Sequence, residues 1–154
     1  ELYEKNYNAD QNSSYSRILL NLNFADTLEN FSEVLSNILN DNLITNNKIN
    51  EELMYILLDV LNNDLNKNLN EDFNSIFDNR IMPSLFILNG IEEAILTNNN
   101  QKFLLYSIIS INNKDWKDLH PNHLKLLLSG YSTYQNGYLL KNLILEIFQD
   151  YNIL

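Results

Sequence analysis

Both histidines of this 154-residue chain fall in one tetrapeptide, His120-Pro121-Asn122-His123. A spacing of three can set two imidazoles on one helical face for a metal ion, with Asp115 and Asp118 just upstream. A residue before proline is held extended, however, so His120 is predicted to precede the helix and the tetrapeptide reads as a helix start. Asp64-x-Asn66-x-Asn68-x-Asn70-x-Asp72 offers oxygen ligands at alternate positions, as a calcium loop does. Leu69 stands where that loop needs Gly, and Ser75 where it needs a bidentate Glu, which leaves an Asn-rich interhelix loop. Glu51-Glu52, Glu71-Asp72 and Glu92-Glu93 are carboxylate pairs. Neighbouring acids on a helix point about 100° apart and share no site, and two of these pairs sit in predicted first turns, where acids favour the helix dipole. The chain has no Cys, no Gly-rich phosphate loop and no Gly-x-Ser-x-Gly; Ser129 is the one serine near a histidine. We therefore expect no catalytic residue, no metal and no cofactor: not an enzyme.

Aromatic residues suggest binding instead. Tyr131, Tyr134 and Tyr138 follow one another at spacings of three and four, with Trp116 and both histidines upstream. Tyr and Trp offer rigid contact area with a polar tip, which suits a groove for a partner. Trp116, His120, His123, Tyr131, Tyr134 and Tyr138 are thus the candidate partner-binding residues, with Lys125 and Lys141 adding positive charge. The competing duty for these rings is packing within a helical hairpin.

Net charge is −10. Residues 1–100 carry 16 acids and five bases, whereas residues 101–154 carry four acids and five bases. An acidic body with scattered bases repels phosphate backbones, so nucleic acid is not an expected partner; only Arg17 and Arg80 offer planar bidentate contacts. No apolar run approaches the roughly 18 residues of a membrane span. Absence of Cys fits bacterial cytoplasm or periplasm equally and decides neither. The start, Glu1-Leu2-Tyr3-Glu4, suggests part of a longer polypeptide or a processed mature chain.

The elements that must position these residues are helices. Apolar residues form 45% of the chain and charged residues 19%, enough for a core and unlike a disordered tail. The polar remainder is dominated by 29 Asn, matched by 29 Leu. Leu53, Ile56, Leu57, Val60 and Leu61 trace one helical face behind a cap at Asn50, and Leu140, Leu143, Ile144, Ile147, Phe148 and Tyr151 trace another. Helix starts are predicted near 13, 27, 51, 71, 83, 101, 121 and 138, with residues 1–12 read as flexible. Pro83 and Pro121 suit first turns, where a missing N–H costs nothing. Gln101–Ile111 is apolar nearly all round and is expected to lie buried between layers. Asn runs at 46–47, 62–63, 98–100 and 112–113 fall at predicted helix ends, where Asn caps and tolerates left-handed geometry. The fold class is all-α, in one domain.

Two predicted hairpins, 83 to 111 and 121 to 151, lie about 38 residues apart, a period typical of stacked helical hairpins. Phe86-Ile87-Leu88-Asn89-Gly90 echoes Leu126-Leu127-Leu128-Ser129-Gly130. Gly within a helix costs about 1 kcal/mol against Ala, which close approach of the hairpin's other helix would offset. Leu127, Gly130 and Tyr134, followed by Leu143 and Ile147, resemble a tetratricopeptide-type unit over residues 124–154, although Leu140, Asn142 and Ile144 exceed that family's small residues and its terminal Pro is missing. His120-Pro121 followed by Leu124, Leu128 and Gly130 is similar to terminal hairpins of α-solenoid proteins. The resemblance implies a short α-solenoid of about seven or eight helices, and hence a non-enzymatic protein- or peptide-binding scaffold or adaptor. The acid excess supports an alternative, an immunity- or antitoxin-type inhibitor of a basic protein. A second alternative is a helical accessory domain of a larger enzyme or secretion component. The terminal Ile153-Leu154 suggests a homo-oligomer contact through the last helix.

Overall fold

The computed structural model describes residues 33–34, 48–61, 79–134 and 137–153, without the side chains of 48–50, 134 and 137–139. The helix starts predicted near 13, 27 and 71, the Asp64–Asp72 loop and residues 1–12 lie outside them. Among the described residues the regular structure is helical: α1 (Lys48–Leu61), α2 (Leu85–Leu96), α3 (Asn100–Ile111), α4 (Pro121–Tyr134) and α5 (Gly137–Asp150), with a single 3₁₀ turn at Trp116–Asp118. Among the described residues the one β-type feature is an isolated parallel bridge between Ile81 and Leu119.

That bridge sets two helix starts side by side. The Ile81 N–H donates to the Asp118 carbonyl at 2.7 Å, and the His120 N–H donates to the Ile81 carbonyl at 2.9 Å. Both strands of the bridge run into proline. Pro121 occupies the first position of α4 as expected, but Pro83 does not open a helix. The bridge and the preference of Met82 for extended backbone hold the chain open, and α2 starts only after Ser84, itself extended at φ −61° and ψ 151°. Further upstream, α1 begins at Lys48, so Asn50 lies inside the first turn rather than capping it, and Glu51 remains a first-turn acid.

Asparagine ends the helices. Asn99 caps α3, its side-chain oxygen accepting from the Lys102 N–H at 3.0 Å. Asn98, Asn112, Asn113 and Asn152 hold φ between 47° and 57°, and among the described residues no Gly has positive φ. Asn is one of the few side chains that tolerate this region, because its short amide bonds locally.

Two cores meet along α4. The larger joins Leu53, Met54, Ile56, Leu57 and Val60 of α1 to Leu124 and Leu128 of α4 and to Leu140, Ile144, Ile147 and Phe148 of α5, closed by Tyr151 and Ile153. The smaller joins Ile91 and Ala94 of α2, Phe103 of α3, Leu127 of α4, and Leu119 just after the 3₁₀ turn. Burying one such Leu, Ile or Phe contributes about 1.5–3 kcal/mol, so α4, apolar toward both sides, is the hub. The neighbour of α1 is therefore α4, not the next helix in sequence. Two ion pairs tie α1 in place: Arg80 grips Glu52 bidentately at 2.8 and 3.1 Å, and Lys125 pairs with Asp59.

One expectation is overturned. Helix α3 is not buried all round: Phe103, Ser107 and Ser110 point inward, whereas Leu105 and Ile108 are 58% and 70% exposed, alongside half-exposed Leu104 and Ile109. Serine is preferred inside because α4 brings His123 there, whose Nε2 lies 3.0 Å from the Ser110 hydroxyl. In the last helix Ile144, Ile147 and Phe148, with Tyr151 and Ile153 just beyond it, are spent on its own core.

Gly90 and Gly130, each inside a helix, sit against a ring. A Cβ on Gly90 would come within 2.6 Å of the Tyr106 ring on α3, its hairpin partner. A Cβ on Gly130 would strike Phe103, which belongs to the other hairpin, so Gly130 serves the junction between hairpins. Phe103 is fully buried and stacks edge-on against Tyr131 at 5.1 Å, whereas Tyr106 is only half-buried. Gly130→Ala should therefore cost about 1–3 kcal/mol, the range for overpacking a core. Gly90→Ala should be close to neutral, since Tyr106 can turn outward and the helix gains about 1 kcal/mol from Ala. Chemical denaturation of the two variants measures this difference; equal destabilisation would contradict it.

Candidate functional site

Three of the six side chains singled out in the sequence lie where the two cores meet. Half-buried Trp116 and Tyr131 pack against both cores. The Trp116 indole N–H donates to Glu146 of α5 at 3.2 Å, and the Lys117 N–H donates to Asp150 at 3.0 Å, which fastens the 3₁₀ turn to the last helix. His120 stands just ahead of α4, where its Nδ1 accepts the Asn122 N–H at 3.2 Å. Tyr134 ends α4 and Tyr138 lies in the first turn of α5, with side chains outside the described ones. Trp116, His123 and Tyr131 are thus brought to one seam, but they do not form an exposed aromatic stripe.

A polar ladder runs through that seam. The Ser107 hydroxyl donates to the Phe103 carbonyl and the Ser110 hydroxyl to the Ser107 carbonyl, each at 2.8 Å. With its hydrogen so used, the Ser110 oxygen can only accept from His123 Nε2, 3.0 Å away. His123 therefore carries a proton at Nε2, and its fully buried Nδ1 has no hydrogen-bond partner among the described residues. Burial, reinforced by nearby His120, lowers the His123 pKa to about 4. Burial and then Glu146 raise the Tyr131 hydroxyl above the ordinary range, with Ser107 pulling the other way. Burial also pushes Tyr151 up to about 12, with Arg80 pulling the other way.

Pattern reading missed a concavity. A groove of about 440 Å³ lies between α2 and α4, whose starts the bridge holds together. Leu88, Glu92, Ile95 and Leu96 form one wall, Asn122, His123, Lys125, Leu126 and Ser129 the other, with Met82 at the edge. Leu88, Glu92 and Ile95 recur at i, i+4 and i+7, as do Asn122, Leu126 and Ser129; this shared spacing was the available signal. Its volume falls within the usual span of ligand sites, about 300–1,000 Å³.

Electrostatics in the groove are one-sided. Lys125 is neutralised by Asp59, and so adds no unpaired positive charge to this region. Glu93, beside Glu92, is held by Lys102 at 2.7 Å. Glu92 is exposed and has no ion-pair partner among the described residues. The arrangement is an apolar trough carrying one carboxylate. Among the described residues no three His, Cys, Asp or Glu side chains cluster as metal ligands would, and no helix is long and apolar enough to cross a membrane.

Comparison with protein-family models, curated proteins and solved structures returned no match.

The buried imidazole makes stability depend on pH. The unfolded chain takes up a proton on His123 near pH 6.5, whereas the native chain resists until about pH 4. Stability from this group is therefore complete above pH 6.5 and falls as the pH drops from 6.5 to 4, by about 3 kcal/mol in all. Denaturation midpoints measured across that window should decline for the native chain, and His123→Leu should remove the part that precedes carboxylate titration. An unchanged profile in the variant would show that another group is responsible.

Proposed function

We propose that this chain is a non-enzymatic helical module that binds a protein or peptide partner, and that the partner enters the α2–α4 groove as an amphipathic helix with a basic residue beside Glu92. The observation that carries this reading is the groove itself: a preformed apolar trough between two helices, with one carboxylate on its wall that has no ion-pair partner among the described residues. Helix-in-groove recognition uses apolar anchors at i, i+3, i+4 and i+7, and a trough bounded by two helices matches that spacing. The net charge of −10 draws a basic segment toward the module before contact.

The same reading extends to architecture. Helices α2 to α5 repeat a helix, turn, helix layout with starts 36 residues apart, in keeping with a tetratricopeptide-like, short α-solenoid of about seven or eight helices. Leu127, Gly130 and Ile147 of that likeness are all buried. The packing of α1 on α4 gives this stack a fold-back at one end.

The acid excess of residues 1–100 favours a second reading, an inhibitor that covers the active surface of a basic protein. Salt separates the two. Groove binding, driven by apolar burial, should weaken only mildly with ionic strength, whereas inhibition through massed charge should weaken steeply.

A displayed library of helical peptides about 15–20 residues long tests the proposal directly. Peptides enriched on the native protein should carry Leu, Ile or Phe at helical spacing with a flanking Lys or Arg. Measured by fluorescence anisotropy, their affinity should fall at least about tenfold on Leu96→Asp or Glu92→Lys, roughly the worth of one lost anchor or reversed charge contact. Leu96 is 86% exposed, so its replacement spares the core. Enriched peptides that bind both variants undiminished, or no enrichment at all, would overturn the proposal.

A further inference from the structure

His123 turns its two ring nitrogens to different surroundings. Nε2 lies 3.0 Å from the Ser110 hydroxyl of α3, whereas Nδ1 is buried with no hydrogen-bond partner among the described residues. Burial, and after it His120, hold the imidazole pKa at about 4. At neutral pH the ring thus has one proton, on Nε2, and an open lone pair on Nδ1. Most buried polar atoms in folded proteins are paired, because an unpaired one keeps its whole desolvation penalty. An orphan acceptor at the end of an otherwise satisfied ladder needs a reason other than packing.

The groove supplies one. His123 borders the α2–α4 trough, and none of the residues lining that trough belongs to α3. The nitrogen committed to Ser110 therefore points away from the trough, and since the two ring nitrogens diverge, the trough side of the ring is the side that carries Nδ1. That atom is closed to solvent, so a donor has to be pressed onto it by a group seated in the trough. Met82, unbranched and half-exposed at the edge, is the lining side chain best able to give way. A cation is the wrong donor, because beside Nδ1 it would be buried without a counter-charge, whereas Glu92 offers it one on the exposed wall. Lys125, from the same helix, is already committed to Asp59. What fits about 440 Å³ of trough walled by Leu88, Ile95 and Leu126 is a large apolar body with a neutral polar tip, as in a phenol or an indole.

We propose that the α2–α4 groove takes an aromatic anchor bearing a neutral hydrogen-bond donor, a phenol hydroxyl or an indole N–H, which bonds to Nδ1 of His123. The inference rests on the groove being where this chain binds its partner, and names one anchor of the incoming helix as Tyr or Trp. His123 selects that anchor; Ser110, by accepting the Nε2 proton, is a positioning residue that fixes the tautomer.

Side-chain analogues test this on the full 154-residue chain. p-Cresol differs from toluene by a hydroxyl, and indole from N-methylindole by its N–H. In titrations followed by nitrogen NMR of the imidazole at neutral pH, p-cresol and indole should move the Nδ1 resonance upfield and leave Nε2 nearly in place. They should also bind at least about fivefold more tightly than toluene and N-methylindole, the worth of satisfying one buried acceptor. His123→Leu, its helicity checked by circular dichroism, should bind p-cresol and toluene alike; the measurements on the native chain decide even if that variant unfolds. Donor-bearing analogues that bind no better than their partners, that leave Nδ1 unmoved or that do not bind would overturn the inference. Helical peptides selected on the native protein separate that failure from failure of the groove. If they are captured through the groove yet lose nothing when a Tyr or Trp anchor becomes Phe, the groove stands and the role of His123 falls.

Discussion

The structure depends on α4 being buried from two directions at once. Leu124 and Leu128 belong to one core and Leu127 to the other, with Phe103 lying over Gly130 where a side chain would otherwise stand. A helix in that position cannot carry an unpaired charge. Its one lysine, Lys125, meets Asp59 of α1, and its histidine is held neutral. Removing either partner of such a pair strands a charge in a poorly solvated place, which costs more than the pair itself contributes. The packing of α1 on α4 and the ion pair between them are therefore two expressions of one constraint.

The seam between α3 and α4 follows from the same constraint. Because His123 enters the interior, α3 must offer it an acceptor, and Ser110 does so only by giving its own hydrogen to Ser107. Serines thus occupy the inward face, and the leucines and isoleucines of α3 are displaced to the outside. Buried polar groups need partners more than buried apolar groups need any particular neighbour, so the hydrogen-bond requirement decided how this helix is rotated.

This explains which parts of the sequence were legible. Helices α1, α4 and α5 could be read from periodicity because their inward residues are their apolar ones: Leu53, Ile56, Leu57 and Val60, or Leu140, Ile144 and Ile147, are both the pattern and the core. Asn at 98, 112 and 113 was readable as helix-ending for a local reason, its tolerance of positive φ. Helix α3 was misread because a nearly uniform apolar helix has no periodic signal for its rotation; that rotation came from His123, a contact 13 residues away. Pro83 was misread because the bridge to residues 118 and 120 is non-local. The role of Lys125 was hidden for the same reason, since Asp59 lies far away in sequence. The aromatic residues were recognisable as important, but nothing local distinguishes a ring packed at a seam from one that faces a partner.

In the proposed reading, the acid excess and the apolar groove divide the work of recognition. Long-range attraction needs only net charge and acts over about a Debye length, roughly 8–10 Å at ordinary ionic strength. Specific seating needs shape and desolvation, which carboxylates oppose because each must shed water. An acidic protein that is to bind anything closely must therefore hold its charges away from its contact faces or neutralise them there. The described residues follow this rule: Glu52 is matched by Arg80, Asp59 by Lys125 and Glu93 by Lys102. Glu92 departs from it on the groove wall, and an exposed carboxylate beside Ile95 and Leu96 makes physical sense where the incoming group is itself a cation.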